Sequence, residues 1–505
     1  MLKSKGQRPQ NGAQLPSRMI LHNANDFGGG HGATSWDSAL HEPGNAGILR
    51  SGQPPPMNTS IPASLPGPQS PPIQKETTAG NYFVSNYPPF AFWKSEAVPL
   101  FESVLERPAD HQVPLGLYVH IPFCRKRCHF CYFRVYTDKN ADEIRNYIDA
   151  VLQELKAYVS KPYLQGRKPK FIYFGGGTPS YLSPDQIRLL TDGIKALLPW
   201  DDATEITYEG EPGTLTDLKL RAIQQVGVTR LSLGVEHFDD HILEINGRAH
   251  RSKEVFRAYA FAREVGFPQV NVDLIAGMVE ETEEKWRETV AKAVELLPDS
   301  VTIYQMEVPY NTGIYRQMKA EGKLVAPVAD WETKRRWVDY AFSEFEKVGY
   351  TVTSTTTVVR DPAKVRFDYR QGLFSGADLL SVGVASFGHL AGIHYQNHHD
   401  FAPYVEAVNS GRLPIYRAYP VPTDERFLRE FMLQLKLGRV ETAPFVQKFG
   451  EEPSEHFAEP LEALRSAGHL VDGPGWIGLT RAALLQVDSL LPLFFKPEHR
   501  TGRYA

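Results

Sequence analysis

Short apolar, β-branched runs alternate along the middle of the chain with longer stretches of helical periodicity. The runs predict six strands, at residues 117–121, 170–174, 205–208, 229–235, 269–275 and 300–306. The stretches between them predict helices at residues 143–159, 184–198, 215–225, 240–265 and 281–297. Strands that alternate with helices indicate βαβ units on a parallel sheet. Because six units are too few for an eight-fold barrel, the pattern predicts an α/β fold with a partial, open (β/α)6 barrel.

The pattern changes beyond the barrel. Residues 331–348 predict a long helix, and residues 350–359 (YTVTSTTTVV) are rich in β-formers. After residue 422 come three helical stretches, a turn at 473–476 and a short strand, WIGLT. Helices followed by a small β-hairpin predict an α+β, winged-helix-like C-terminal domain.

The first 80 residues have a different composition, rich in Gly, Pro, Ser, Asn and Gln. Such a segment buries too little apolar surface to fold, so we expect a disordered tail, and Met57 would open a shorter alternative chain. The expected organisation is therefore a tail at 1–80, a lead-in segment at 81–114, the barrel core at 115–328, a barrel-completing α/β extension at 329–421 and the C-terminal domain at 422–505.

Charge and composition exclude some function classes. The net charge of −4 gives no electrostatic case for binding nucleic acid or an anionic membrane. No apolar run approaches the roughly 20 residues that a membrane-spanning helix needs, and the N-terminus lacks the apolar region of a secretory signal. The only three cysteines lie within eight residues of each other, which indicates a metal site in a reducing compartment, and we expect a cytoplasmic protein.

Those cysteines form the first chemical motif, YVHIPFCRKRCHFC, which directly follows the first predicted strand. The thiolates of Cys124, Cys128 and Cys131 can hold three irons of a [4Fe–4S] cluster. The fourth iron is then open to a small molecule that carries an amine and a carboxylate, as S-adenosylmethionine (SAM) does. The alternative is a zinc site formed by the three cysteines and His129.

A glycine run, FGGGTP at residues 174–179, ends the second strand. Glycines let the backbone pass close to a ligand, although a tight turn between strand and helix would need them too. In register after the cysteine motif, the run favours binding of the amino group of SAM.

Further candidates recur at the ends of the later strands. They are Glu209, Glu236, Arg248, Asp273 and Met306. In barrel enzymes the chemistry lies at the carboxyl ends of the strands, so these residues should surround one cavity. Each acid, taken alone, is also compatible with a helix cap or a loop ion pair.

Together the YVHIPFC, GGGTP, SLGV and DLI runs resemble the oxygen-independent coproporphyrinogen III oxidase family of radical SAM proteins. That family includes the oxidase, a haem chaperone and class C radical SAM methyltransferases. The resemblance spans residues 115–495 and implies reduction by a flavodoxin or ferredoxin and a tetrapyrrole or other aromatic substrate.

The resemblance also implies residue roles. Tyr118 and the three cysteines are the candidate catalytic residues. Cluster-bound SAM would contact Tyr118, Gly176 and Glu209, with Phe387 beside it. A second SAM would be surrounded by Phe130, Gly177, Thr178, Glu236, Arg248, Asp273 and the backbone of Met306.

Two departures from the family pattern leave the reaction open. Phe133 stands where the oxidase has a fourth cysteine, and Glu236 stands where the family commonly has glutamine. The oxidase's glutamine-containing substrate loop has no clear match, although residues 367–371 (FDYRQ) lie roughly where it should. Three hypotheses remain: an oxidase-like enzyme, a methyltransferase that uses a second SAM, and a haem-binding chaperone. In the last case His394, His398 or His399 could ligate haem.

Overall fold

The structure is a computed structural model that describes residues 75–500 and Gly502. Residues 1–74 of the predicted tail lie outside the described residues. Its last residues, 75–80, belong to the fold: the carbonyls of Lys75 and Thr77 accept hydrogen bonds from the backbone N–H groups of Trp331 and Ala326, at 3.0 and 2.8 Å.

The partial barrel is built as the hydrophobic pattern predicts. Its strands are β1 (Leu115–Ile121), β2 (Pro169–Gly176), β3 (Glu205–Gly210), β4 (Arg230–Glu236), β5 (Gln269–Ala276) and β6 (Ser300–Gln305). Each pairs in parallel with its neighbour. The helices of this region are α1 (Val98–Leu105), α2 (Ala141–Val159), α3 (Pro184–Leu197), α4 (Asp217–Gln225), α5 (Asp240–Ile245), α6 (Ser252–Val265), α7 (Glu283–Leu296), α8 (Gly313–Ala320) and α9 (Trp331–Lys347).

Local sequence sets where these helices begin. The side chain of Asn140 accepts hydrogen bonds from the first turn of α2, and the Glu143 carboxylate accepts one from the backbone N–H of Asn140. Ser183 and Gln186 form the same reciprocal cap on α3. Such capping boxes satisfy backbone N–H groups that have no partner inside the helix.

The predicted helix at 240–265 is wrong in one respect, because the structure divides it into α5 and α6. The break contains Gly247, whose φ of 79° lies in the left-handed region that glycine tolerates. The break has a functional consequence, because it releases Arg248 from helical geometry and directs it toward the strand ends.

The extension adds strands to both sides of the barrel sheet. Its elements are β7 (Thr351–Val352), β8 (Thr357–Val359), α10 (Asp368–Phe374), β9 (Asp378–Val382), β10 (Phe387–Leu390), β11 (Ile393–Asn397), α11 (Phe401–Asn409) and β12 (Ile415–Pro420). β9 pairs in parallel with β1, and β8 pairs antiparallel with β6. The whole sheet has the order β12-β11-β10-β9-β1-β2-β3-β4-β5-β6-β8-β7.

The C-terminal region consists of helices and a small sheet, as predicted. Its elements are α12 (Thr423–Leu435), β13 (Arg439–Glu441), α13 (Ala443–Phe449), α14 (Pro453–His456), α15 (Ala458–Ser466), β14 (Leu470–Gly473), β15 (Trp476–Leu479), α16 (Arg481–Leu484) and α17 (Val487–Leu490). Its three strands are antiparallel, in the order β13-β15-β14. A separate core with Phe431 and Phe457 at its centre holds this region together.

No helix within the described part of the chain is long and apolar enough to cross a membrane.

Candidate radical SAM site

The three cysteines lie on the loop that follows β1, at the carboxyl edge of the barrel. Backbone hydrogen bonds fold this loop back on itself, from Cys124 N to Tyr136 O at 3.0 Å and from Tyr136 N to Pro122 O at 2.8 Å. A tighter turn brings Cys131 N within 3.2 Å of Cys128 O. The loop is therefore a closed structure with its sulfurs on one face of the cavity described below.

His129 fixes this loop to the opposite side of the barrel mouth. Its backbone N–H donates to Asn246 O at 3.0 Å, and its ring Nδ1 lies 3.0 Å from Ile245 O. A Cβ on Gly247 would come within 2.9 Å of the His129 ring, so glycine is needed for this close approach. His129 is a positioning residue for the cysteine loop.

The sulfur atoms lie in a buried, weakly polar environment. Thr178 Oγ1 donates to Cys124 Sγ at 3.2 Å, and Arg248 Nη1 donates to Cys128 Sγ at 3.4 Å. Burial raises the pKa of Cys124 to about 12 and that of Cys131 to about 11, and the neighbouring sulfurs add to both shifts. Thiols with such pKa values become thiolates when a cation binds them, which is the chemistry of a metal centre.

The donor set fits a cluster better than a single ion. Among residues 75–500, no three His, Cys, Asp or Glu side chains converge closely enough to ligate one metal ion. His129, the fourth ligand of the zinc alternative, would have to bind through Nε2, because its Nδ1 lies 3.0 Å from Ile245 O. In a [4Fe–4S] cluster each thiolate binds a different iron, so the three sulfurs do not have to surround a single ion.

The glycine run of β2 lies directly against the cysteine loop. Gly177 N donates to Ile121 O at 2.7 Å, and Thr178 N donates to Phe123 O at 2.8 Å. A Cβ on Gly177 would lie within 3.0 Å of three backbone atoms of residues 121–123. Close approach of two strand ends therefore explains this glycine.

Glu209 lies beside the same run. Its carboxylate accepts from Tyr173 Oη at 2.6 Å and from Gly176 N at 3.3 Å. Burial raises the pKa of Glu209 to about 7, against the lowering effect of these hydrogen bonds. Glu209 and Gly176 together present an acceptor and exposed backbone next to the cysteines.

Glu236 and Arg248 form a buried pair on the other side. Arg248 Nη2 lies 3.6 Å from Glu236 Oε1 and donates to Gly234 O at 2.5 Å. Glu236 has a φ of 65°, in the left-handed region, where the register of β4 against β5 shifts. Burial raises its pKa to about 7, with Arg248 acting in the opposite direction. Backbone strain at a non-glycine residue is a feature of functional sites.

Asp273 lies deeper in the barrel, on β5. Ser232 Oγ and Asn271 Nδ2 donate to its two oxygens at 2.9 Å each. Burial raises its pKa despite these donors.

A cavity of about 710 Å³ joins these groups, and we call it the strand-end cavity. Twelve residues expected at the site line it: Cys124, Cys128, Phe130, Cys131, Gly176, Gly177, Thr178, Glu209, Glu236, Arg248, Asp273 and Met306. Lead-in residues 81–84 and C-terminal residues 485–486 and 488–490 form another part of its wall.

Comparison with known proteins agrees with this geometry. The Radical SAM superfamily pattern matches residues 118–293. The heme chaperone HemW of Bacillus subtilis (strain 168) is 28% identical over 379 residues, covering 75% of this chain and 98% of the relative. The oxygen-independent coproporphyrinogen III oxidase of Escherichia coli (strain K12) is 26% identical over 404 residues, covering 78% and 86%. By these matches the chain is similar to the coproporphyrinogen III oxidase-like family of radical SAM proteins.

The chain also shares its fold with a solved structure. The structure of coproporphyrinogen III oxidase (HemN) from Escherichia coli aligns with a TM-score of 0.70 and 23% identity, covering 83% of this chain and 99% of that one. The family implies a [4Fe–4S] cluster and SAM as cofactors and a reductant as partner.

Two residues that the family resemblance assigns to SAM do not line the strand-end cavity. Tyr118 lies one layer deeper, with its hydroxyl 3.1 Å from His120 Nδ1 and its ring 6.0 Å from that of Tyr173. Phe387 stacks on Phe90 at 4.4 Å.

The histidines proposed for haem are engaged elsewhere. Both ring nitrogens of His394 have partners, His389 Nδ1 at 2.9 Å and Tyr87 O at 3.0 Å. His399 Nε2 lies 3.4 Å from Asp400. None of His394, His398 and His399 lines the strand-end cavity.

Sequence reasoning missed several polar groups of the cavity wall. Glu211 Oε1 contacts His250 Nδ1 at 2.8 Å, and Arg125 lies 3.8 Å from the same oxygen. Glu307, one residue after Met306, has its pKa raised to about 8 by burial. Glu211 lies two residues after Glu209, and Glu307 lies one residue after Met306. Extending each strand-end motif by two residues would therefore have identified both acids.

Proposed function

We propose that the chain is a radical SAM enzyme that holds a [4Fe–4S] cluster through Cys124, Cys128 and Cys131 and cleaves SAM. We propose a tetrapyrrole (a porphyrinogen) or another aromatic molecule as its substrate. One observation carries the proposal: three thiols, one buried and two half-buried, share a cavity wall with a glycine strand end and three strand-end carboxylates. When bound, the cluster and SAM supply a 5′-deoxyadenosyl radical, and the protein supplies binding, orientation and exclusion of water.

The first SAM position would use the groups nearest the cysteine loop. The Gly176 backbone can approach the methionine moiety because no side chain intervenes. The Glu209 carboxylate can accept hydrogen bonds from ribose hydroxyls, and its raised pKa means that it accepts best above about pH 7.

A second SAM position would use Glu236, Arg248 and Asp273. Arginine is suited to gripping a carboxylate in bidentate fashion, and an amino-acid moiety carries one. This arrangement supports a second candidate function, a class C methyltransferase, because such an enzyme needs a second SAM beside the first.

The mouth of the cavity supports an acidic substrate. Arg335 and Arg500 belong to its wall, and Arg335 Nε has no hydrogen-bond partner among the described residues. Carboxylate side chains of a porphyrinogen would pair with such cations. We propose a flavodoxin or ferredoxin as the electron donor and the cytoplasm as the location.

Similarity to HemW supports a third candidate, a haem-binding chaperone. Under this alternative the cavity would bind haem and release no product.

One experiment separates the three. Reconstituted protein is incubated without oxygen with SAM, dithionite and coproporphyrinogen, and the products are analysed by mass spectrometry. Carbon dioxide with 5′-deoxyadenosine supports the oxidase, and S-adenosylhomocysteine beside 5′-deoxyadenosine supports the methyltransferase. Neither product, together with tight haem binding in a separate absorbance titration of the same protein with haem, would contradict both enzyme proposals and leave the chaperone.

A further inference from the structure

A second cavity, of about 420 Å³, lies at the other end of the barrel, and we call it the amino-end cavity. Arg230 begins β4 and Ser300 begins β6, and both line it. β4 places Arg230 six residues before Glu236, which corresponds to about 20 Å along the strand. The amino-end cavity is thus a separate site from the strand-end cavity.

Its lining is strongly cationic. Three arginines line it, Arg230, Arg366 and Arg370, and no aspartate or glutamate does. Arg366 is paired with Asp368 at 3.3 Å, so Arg230 and Arg370 supply the unpaired charge. Hydroxyl groups of Ser300 and Thr357 complete the polar part of the wall.

Arg230 is the most unusual of these residues. Only 2% of its surface is exposed, and its Nε and Nη1 have no hydrogen-bond partner among the described residues. Its guanidinium lies over the ring of Phe367, 4.2 Å from the centroid. Burying a guanidinium without acceptors is costly, so buried arginines are normally paired.

The nearby carboxylates do not fill this role. Glu205 accepts from Thr207 Oγ1 at 2.9 Å and from the backbone N–H of Asp368 at 2.6 Å. Asp273 accepts from Ser232 and Asn271. Both acids are close enough to influence Arg230 electrostatically, but neither lies within salt-bridge distance of it.

Arg370 approaches the same space from α10. Its Nη1 donates to Ser354 Oγ at 2.8 Å and to Thr357 Oγ1 at 2.7 Å, while its Nε is buried without a partner. Its guanidinium also lies against Phe367, at 5.2 Å. Burial, with a smaller contribution from the nearby positive charge of Arg230, lowers the pKa of Arg370 to about 10. An anion between them would relieve both the repulsion and the missing hydrogen bonds.

We propose that the amino-end cavity binds a small anionic ligand through Arg230 and Arg370, with a carboxylate or phosphate group facing the two guanidiniums. The planar fork of arginine matches both groups. Exposed residues Pro362 and Ala363 in the cavity wall provide access from solvent.

The test is thermal unfolding of the full-length protein with inorganic phosphate or succinate, at constant ionic strength set with sodium chloride. We expect at least one of the two anions to raise Tm saturably by about 2 °C or more. A rise with phosphate alone identifies a phosphate site, and a rise with succinate alone identifies a carboxylate site.

Variants locate the effect. The rise should disappear in Arg370→Gln and persist in Lys364→Gln, which removes a positive charge that is largely exposed and lies outside the cavity lining. It should also persist in Arg335→Gln, which removes a cation from the strand-end cavity. No rise with either anion in the wild type, or a rise that survives Arg370→Gln, would overturn the proposal.

A milder variant decides the matter if Arg370→Gln does not fold. Arg370→Lys keeps the charge and loses the fork, so anion affinity should fall about tenfold. An unchanged affinity in Arg370→Lys would also overturn the proposal.

Discussion

The two ends of β4 and its neighbours meet very different surroundings. At the amino end, Arg230 faces a cavity lined by three arginines and no carboxylate. At the carboxyl end, Glu236 faces a cavity that contains three thiols and several buried acids with raised pKa values. A strand of seven residues is long enough to separate the two environments by about 20 Å. One barrel can therefore surround two cavities of opposite character. The variants at the carboxyl end below and the Arg370 variants at the amino end should each affect only their own cavity.

The largest effect is expected from Cys124→Ala. Removing one of three thiolates leaves too few ligands for the cluster, so iron content, brown absorbance and SAM cleavage should all fall to background. Ser410→Ala, a similarly small change at an exposed helix end, should leave all three at wild-type values. Retained iron or retained cleavage in Cys124→Ala would show that the cysteine loop is not the cluster site.

Arg248→Met should weaken SAM binding about 30-fold, which corresponds to roughly 2 kcal/mol, because it removes a buried charge that the ligand would pair with. Equilibrium dialysis with reconstituted protein measures this. Arg287→Met, at an exposed pair with Glu283, is the control and should bind SAM normally. Equal affinity in Arg248→Met and the control would exclude Arg248 from SAM binding.

Glu209→Gln tests how a buried acid at the carboxyl end changes the pH dependence of the free energy of unfolding. The pKa of Glu209 is about 7 in the folded protein and lies near 4.5 when unfolded, so the folded state holds the proton more tightly. Its stabilising contribution is complete below pH 4.5 and is lost as pH rises through 7. The free energy of unfolding of the wild type should therefore fall with pH over this range, by at most about 3 kcal/mol from this group.

Urea unfolding of the cluster-free protein at pH 5 and pH 8 measures that difference. Glu209→Gln should make the difference smaller, and Glu283→Gln, at an exposed carboxylate, should leave it unchanged. The prediction fails if Glu209→Gln keeps the full pH dependence.

The smallest effect is expected from His129→Leu. It removes the ring hydrogen bond to Ile245 O, which should weaken the attachment of the cysteine loop to the barrel by about 1 kcal/mol. The cluster should therefore still form, but a chelator should remove its iron faster. His241→Leu changes an exposed histidine and serves as the control. Complete loss of metal in His129→Leu would instead favour the zinc alternative, in which His129 is a ligand.

Much of the barrel could be predicted from the sequence because buried parallel strands are nearly uniformly apolar, as β5 is in VNVDLIA. The cysteine loop and the glycine run were found because their residues are close together in sequence. The break between α5 and α6 was missed because helical periodicity continues on both sides of Gly247.

Contacts between distant parts of the chain could not be predicted. Val84 N donates to Asp488 Oδ1 at 2.8 Å across 404 residues, and that contact closes one side of the strand-end cavity. Arg230 and Arg370 come together because α10, which carries Arg370, packs against β2 and α12. Phe387 could be assigned to SAM by resemblance alone, and the direction of its ring depends on Phe90, far away in sequence.

If the carboxyl end of the barrel holds a cluster that cleaves SAM, formation of 5′-deoxyadenosine must depend on Cys124. Protein reconstituted with iron and sulfide is reduced with dithionite in the presence of SAM, and 5′-deoxyadenosine is quantified for the wild type, Cys124→Ala and Ser410→Ala. A cluster held by the cysteine loop should give 5′-deoxyadenosine from the wild type and Ser410→Ala and none above background from Cys124→Ala. Equal amounts from all three proteins, or none from a wild type that carries a full complement of iron, would contradict it.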